Sequence, residues 1–147
     1  MNEVMVRMIV APGASLPEYR SDGAAGSDLR ASLSEPVSLR PGERRAIPTG
    51  LRIELPDNYE GQVRPRSGLA LERGLTSINS PGTIDSDYRG EVKVIMVNLG
   101  DEDALISHGD RIAQLVVAPV TRALFVAVDD LGDTARGSGG FGSTGTR

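Results

Sequence analysis

The sequence predicts an all-β chain, a sandwich or barrel of short strands. Two observations carry that expectation, and a third says what fills its core. The apolar runs are short and rich in Val, Ile and Leu, which suit a pleated, half-buried surface. Gly, Pro, Asp and Asn interrupt them at intervals of roughly ten residues, the spacing of strands joined by turns. With three Tyr, two Phe and no Trp, the core has to be built from aliphatic side chains.

Taken in order, Val4–Val10 reads as the first strand, and Leu29–Leu33 and Pro36–Leu39 as two short ones. Arg45–Ile47 leads into Thr49–Leu55, where Leu51, Ile53 and Leu55 alternate with Gly50, Arg52 and Glu54. That period of two puts one face inward and the other outward. Tyr59–Arg64 follows. Ser67–Arg73 is the one helical candidate, with Ser67 as N-cap and Gly74 as its stop. Asn79–Gly82 (Asn-Ser-Pro-Gly) is a turn, because Pro81 fixes φ and Gly82 permits unusual values. Thr83 and Ile84 read as strand, and Asp85–Gly90 as a second turn. The stretch is expected to fold as a short β-hairpin with a carboxylate and a phenol at its base. Glu91–Leu99 is the cleanest strand, and Ala104–Ser107, Arg111–Pro119 and Ala123–Val128 complete the set. Residues 1–132 are expected to form the β domain, and residues 133–147 a flexible Gly-rich arm.

Length and charge narrow the function. A chain of 147 residues is one domain by default. A net charge of −4 argues against a broad basic face for nucleic acid. No apolar run reaches bilayer length and no signal peptide is evident, so no membrane partner is expected. There are no cysteines, so no disulfide and no thiolate metal site forms. The cytoplasm is the expected compartment. Any anionic ligand has to be met by a few local Arg residues, backbone N–H groups or a bound cation.

Several segments can carry chemistry. A carboxylate on a tight hairpin is held at a fixed angle, which suits a general base; taken alone, Asp85 and Asp87 read rather as solvated turn residues. Pro65-Arg66-Ser67-Gly68 puts a cation and a hydroxyl at a helix start, an anion site or an ordinary cap. Ala25-Gly26-Ser27-Asp28-Leu29 and Gly109-Asp110-Arg111-Ile112-Ala113-Gln114 are, individually, turns next to strands. The Gly-rich arm offers N–H groups to phosphates, and Phe141 within it can stack on a base. Gly137, Gly139 and Gly142 match G-x-G-x-x-G, but no helix can follow and no βαβ unit surrounds them, so a dinucleotide site is rejected. His108, the only His, sits in a His-Gly-Asp turn and is read as a turn residue.

Five segments in this order resemble the trimeric dUTPases. They are Ala-Gly-Ser-Asp-Leu, Pro-Arg-Ser-Gly-Leu-Ala, Asn-Ser-Pro-Gly-Thr-Ile-Asp-Ser-Asp-Tyr-Arg-Gly, Gly-Asp-Arg-Ile-Ala-Gln and Arg-Gly-Ser-Gly-Gly-Phe-Gly-Ser-Thr-Gly, spanning Ala25 to Gly145. The resemblance implies a distorted jelly-roll β-barrel, assembled as a homotrimer whose sites each draw on all three subunits. It implies hydrolysis of dUTP to dUMP and pyrophosphate, with Asp85 activating the attacking water and Tyr88 packing under the deoxyribose. Asn79, Gly82, Thr83 and Ile84 would read the uracil edge. Arg66, Ser67, Gly68 and Gln114 would bind phosphates. Mg2+ would be chelated mainly by the triphosphate, with Asp28 holding it through water. Arg136, Ser143 and Thr144 would close on the γ-phosphate, Phe141 would cover the base, and Gly142 between them would also bind substrate. The alternatives are a dCTP deaminase-like enzyme of the same fold and a dUTP-sensing regulatory protein.

Overall fold

The alternation around Leu51 and Ile53 becomes a strand of 11 residues, Arg44–Glu54, in which Ile47, Thr49, Leu51 and Ile53 point inward. A computed structural model describes residues 3–145 of the chain. Its strands are β1 (Arg7–Val10), β2 (Ser27–Arg30), β3 (Val37–Leu39), β4 (Arg44–Glu54), β5 (Tyr59–Arg64), β6 (Leu75–Ser77), β7 (Gly82–Ile84), β8 (Glu91–Asn98), β9 (Ala104–Ile106) and β10 (Arg111–Pro119). One helix, α1 (Ser67–Arg73), lies between β5 and β6. The strands form two four-stranded sheets, β1-β4-β8-β6 and β2-β10-β5-β7, and a two-stranded ladder β3-β9. Every pairing is antiparallel.

The fold is the all-β jelly roll expected. Its hydrogen bonding runs as separate sheets rather than as a closed ring. Their inner faces meet in one aliphatic core, with Leu29, Leu39, Ile47, Leu51, Val94, Met96 and Ile112 among its members. No aromatic residue belongs to that cluster. No helix among the described residues is long and apolar enough to cross a membrane.

Three local expectations are corrected. The stretch from Asn79 to Gly90 is not a self-paired hairpin. β6 pairs with β8 in one sheet, and β7 pairs with β5 in the other. The Asn79 turn therefore carries the chain between sheets. Ser67 is the first helical residue; Arg66 occupies the N-cap position with extended backbone, and no side chain caps the helix. Arg66, at φ −98° and ψ 127°, is the extended residue from which the chain enters the helix, so Ser67 is already helical and cannot be the flanking cap. Gly74 does end the helix, in the left-handed conformation at φ 63°. Ala123–Val128 forms no strand, because no sheet edge of its own chain reaches it. Residues 120–145 carry neither strand nor helix, and Leu124 and Phe125 are 90% and 92% exposed.

Candidate active site

Two groups of the expected site residues lie beside the sheet β2-β10-β5-β7, one around edge strand β7 and one around Asp28 on the other edge strand, β2. On edge strand β7, Gly82 pairs with Val63 and Ile84 with Gly61. A cavity of about 430 Å3 opens beside this strand, walled by Asn79, Gly82, Thr83 and Ile84 and rimmed by Asp85 and Tyr88. Glu91, Lys93 and Ile95 of β8 form its far side. A Cβ on Gly82 would come within 3.0 Å of Asn79 Nδ2 and 3.5 Å of Val63 Cβ, so the glycine lets the Asn79 amide lie against the strand. The wall thus combines a side-chain amide with strand backbone, a surface that can read the edge of a planar base. Asp85 follows β7 directly and is exposed. Its carboxylate makes no ion pair or hydrogen bond among the described residues, which leaves it available to a water molecule. The Tyr88 amide donates to Asp85 O at 3.1 Å and closes the turn. The Tyr88 hydroxyl donates to Glu91 O at 3.0 Å, so the ring stands at a fixed place beside Asp85.

The second group centres on Asp28, which is 2% exposed and lies directly opposite Gln114 on β10. Arg66 Nε lies 3.4 Å from Asp28 Oδ1, and Arg111 Nη1 donates to Oδ2 at 3.1 Å. Gln114 Nε2 donates to Oδ1 at 3.4 Å. Arg66 Nη1 also donates to the Arg111 carbonyl at 3.2 Å. One buried carboxylate is thus shared by two guanidinium groups and an amide. Burial of a charge is tolerated only with such partners. The pairing leaves a local excess of one positive charge beside the exposed Ser67 hydroxyl. Gly26 makes the packing feasible, since a Cβ there would fall 3.1 Å from Gln114 Cβ. The space over Gly68 is open, with nothing within 4 Å of where a Cβ would be. The arrangement suits a polyphosphate.

The third group, on the arm, touches neither. Arg136 Nε donates to Gly139 O at 2.7 Å, and the other arm hydrogen bonds are local turns. Phe141 is fully exposed, and Gly142, Ser143 and Thr144 are exposed as well.

Arg111 was not among the residues expected at the site, and neither were Glu91 and Lys93. Arg111 was detectable only as a neighbour of Gln114; the structure shows both reaching the same carboxylate. The donor set fits Mg2+ of one kind. No group of three His, Cys, Asp or Glu residues able to hold a metal exists among the described residues, and Asp28 is already shared by two cations. An ion that brings its own ligands, phosphate oxygens and waters, fits; an ion caged by protein alone does not.

The sequence model of the dUTPase family matches residues 13–145. The deoxyuridine 5'-triphosphate nucleotidohydrolase of Chlamydia pneumoniae is 60% identical over 134 residues, covering 90% of this chain and 92% of its own. That of Anaeromyxobacter sp. strain Fw109-5 is 61% identical over 134 residues, covering 91% and 90%. Among solved structures, the Staphylococcus bacteriophage 80alpha dUTPase with dUpNHpp superimposes with a TM-score of 0.84 at 26% identity, covering 97% of this chain and 99% of its own. The match over nearly the whole length shows that this protein belongs to the dUTPase family.

Proposed function

We propose that this chain hydrolyses dUTP to dUMP and pyrophosphate, keeping uracil out of DNA and supplying dUMP for dTMP synthesis. The observation that supports it most is the base-sized cavity with an unpaired carboxylate and a tethered phenol on its rim. Asp85 takes a proton from a water molecule. The oxygen attacks the α-phosphorus, and the bond from that phosphorus to the α–β bridging oxygen breaks. Pyrophosphate leaves with the bonding electrons. Ser67 lies near the bridging oxygen, where charge develops. Arg66, Gly68 and Gln114 hold the phosphates, and Asp28 holds Arg66 and Gln114 in turn. Mg2+, when bound to the triphosphate, supplies positive charge that neutralises it and fixes its conformation. Asp28 is the carboxylate that would meet this ion through water.

Specificity follows from the wall. Donors from Asn79 and the strand backbone match the uracil O4 and would be left unpaired opposite the cytosine amino group. The Tyr88 ring under the sugar leaves no space for a 2′-hydroxyl. A thymine methyl group would meet the wall of Gly82 to Ile84.

The site is composite in this reading. Gly82 pairs with Val63, Val63 with Leu115 and Leu115 with Ser27. Three strand spacings, about 14 Å, therefore separate β7 from the strand that carries Asp28 within one chain. A homotrimer resolves this by setting the β7 edge of one subunit against the Asp28 cluster of another. The arm, whose hydrogen bonds among the described residues are all local, then closes the site of a neighbour, with Arg136, Ser143 and Thr144 on the γ-phosphate and Phe141 over the base. The deaminase alternative is not favoured, since relatives at about 60% identity are named for dUTP hydrolysis. The test is incubation with dUTP, UTP, dCTP or dTTP plus Mg2+. Pyrophosphate is expected from dUTP alone, and ammonia from dCTP would overturn the reading.

A further inference from the structure

We infer that Arg89 and Gly90 are positioning residues that set the height of the Tyr88 ring and, through it, discrimination against ribonucleotides. The inference rests on the proposed role of Tyr88 and extends it to two residues with no contact to substrate.

Gly90 does not have a left-handed φ, so conformational freedom is not the reason for a glycine there. Space is. A Cβ on Gly90 would lie 2.5 Å from Tyr88 Cζ and 2.9 Å from Cε2, inside van der Waals contact, with the hydroxyl oxygen closer still. The phenol lies across the bare Cα, and this lets its hydroxyl reach the Glu91 carbonyl at 3.0 Å. A methyl group at position 90 would expel the ring by about an ångström to restore contact distance. It would also break that hydrogen bond.

Arg89 secures the same turn from the other side. Its Nη1 donates to Ser86 O at 2.6 Å and to Tyr88 O at 3.0 Å. Its Nη2 lies 4.0 Å from Glu54 Oε1 on β4. Glu54 is also paired with Arg7 of β1. The guanidinium thus links two carbonyls of the Asp85–Tyr88 turn to the neighbouring sheet. The ring is held below by a missing side chain and behind by a tethered backbone.

Discrimination between a hydrogen and a hydroxyl at the sugar 2′ position is a matter of about an ångström, and a misplacement of that size costs on the order of 10²-fold in a positioned site. The experiment measures kcat/KM for dUTP and for UTP, with Mg2+, in four proteins: the native chain, Tyr88→Ala, Gly90→Ala and the double variant. Tyr88→Ala is expected to narrow the dUTP:UTP ratio. Gly90→Ala should narrow it by about tenfold or more, and the double variant should match Tyr88→Ala alone, since the glycine acts only through the ring. If Tyr88→Ala narrows the ratio and Gly90→Ala does not, the inference is overturned while the sugar gate stands. If Tyr88→Ala leaves the ratio unchanged, the role given to Tyr88 is wrong and the inference goes with it. Should Gly90→Ala yield no folded protein, Arg89→Met reads the same ratio through the other tether. A narrowed ratio with an unchanged thermal midpoint supports the inference, and an unchanged ratio overturns it.

Discussion

Asp85 follows the last residue of β7, is exposed, and lies on the rim of the cavity. Replacing it with Asn keeps the shape and removes the basic oxygen. Asp85→Asn is expected to bind a non-hydrolysable dUTP analogue as tightly as the native chain and to lose about 10²–10⁴-fold in kcat, the contribution of a positioned base. Equal kcat in the two proteins would remove Asp85 from that role. Asp28 differs because its carboxylate is held within the protein by two guanidinium groups and an amide. Asp28→Ala would leave Arg66 and Arg111 facing each other without the charge between them. It is expected to raise KM for dUTP and to lower the denaturation midpoint, with a cost of about 3 kcal/mol or more for orphaning partly buried charges. Denaturant unfolding and initial-rate kinetics read the two effects separately. The residues themselves were legible, because Asp85, Tyr88, Arg66 and Gln114 stand in ordered motifs. Arg111 was not. Residues three apart on a regular strand point to opposite faces, yet Arg111 and Gln114 both reach Asp28. The register of β10 against β2 slips between Arg111 and Ala113, a bulge that returns both side chains to one face. Nothing in the sequence marks that bulge.

Strands were legible where alternation was long. β4 and β8 were, and their pairing spans seven residue pairs with one irregularity between Pro48 and Leu51. At that break Thr49, 1% exposed, donates to Val92 O at 2.6 Å and accepts from Leu51 N at 3.3 Å, so a hydroxyl stands in for the interrupted ladder. The supposed hairpin misled because its turn signals were real while its partner lay elsewhere. Turn residues fix where the chain bends, and burial decides which strand it then meets. Asn98 shows the same dependence. It ends β8 fully buried, donates to Leu39 O and Glu102 O at 2.8 Å each, and accepts from Gly100 N at 2.8 Å. No local pattern predicts this knot between three segments. Asn98→Ala leaves three polar groups without partners and is expected to cost on the order of 3 kcal/mol in a denaturant titration, with kcat per folded protein unchanged. A loss below about 0.5 kcal/mol would mean that water replaces the amide.

At the scale of the molecule, the features that look unfinished in one chain share an explanation. Ile9 on the edge strand β1 is 67% exposed, and Leu124, Phe125 and Val126 carry an apolar, strand-like pattern into solvent. The arm beyond them makes only local hydrogen bonds among the described residues. The sequence foretold a strand at Ala123–Val128 because the residues are those of a strand; whether a partner edge exists is not written in the segment itself. If neighbouring subunits supply what one chain lacks, Asp85 and the arm serving a given site come from different copies. A mixing experiment tests this directly. One chain carries Asp85→Asn with an intact arm, and the other keeps Asp85 and ends after Leu131. Each homotrimer alone is expected to be nearly inactive and folded. Unfolded together in equal amounts and refolded at random, a site is competent when its base comes from the truncated chain and its arm from the other. About a quarter of sites meet that condition by the arithmetic of random assembly on a threefold axis. Recovery near a quarter of native activity is the expected result. No recovery above the two parents, from trimers shown by mass to be mixed, would place base and arm on the same chain and return the arm to its own domain.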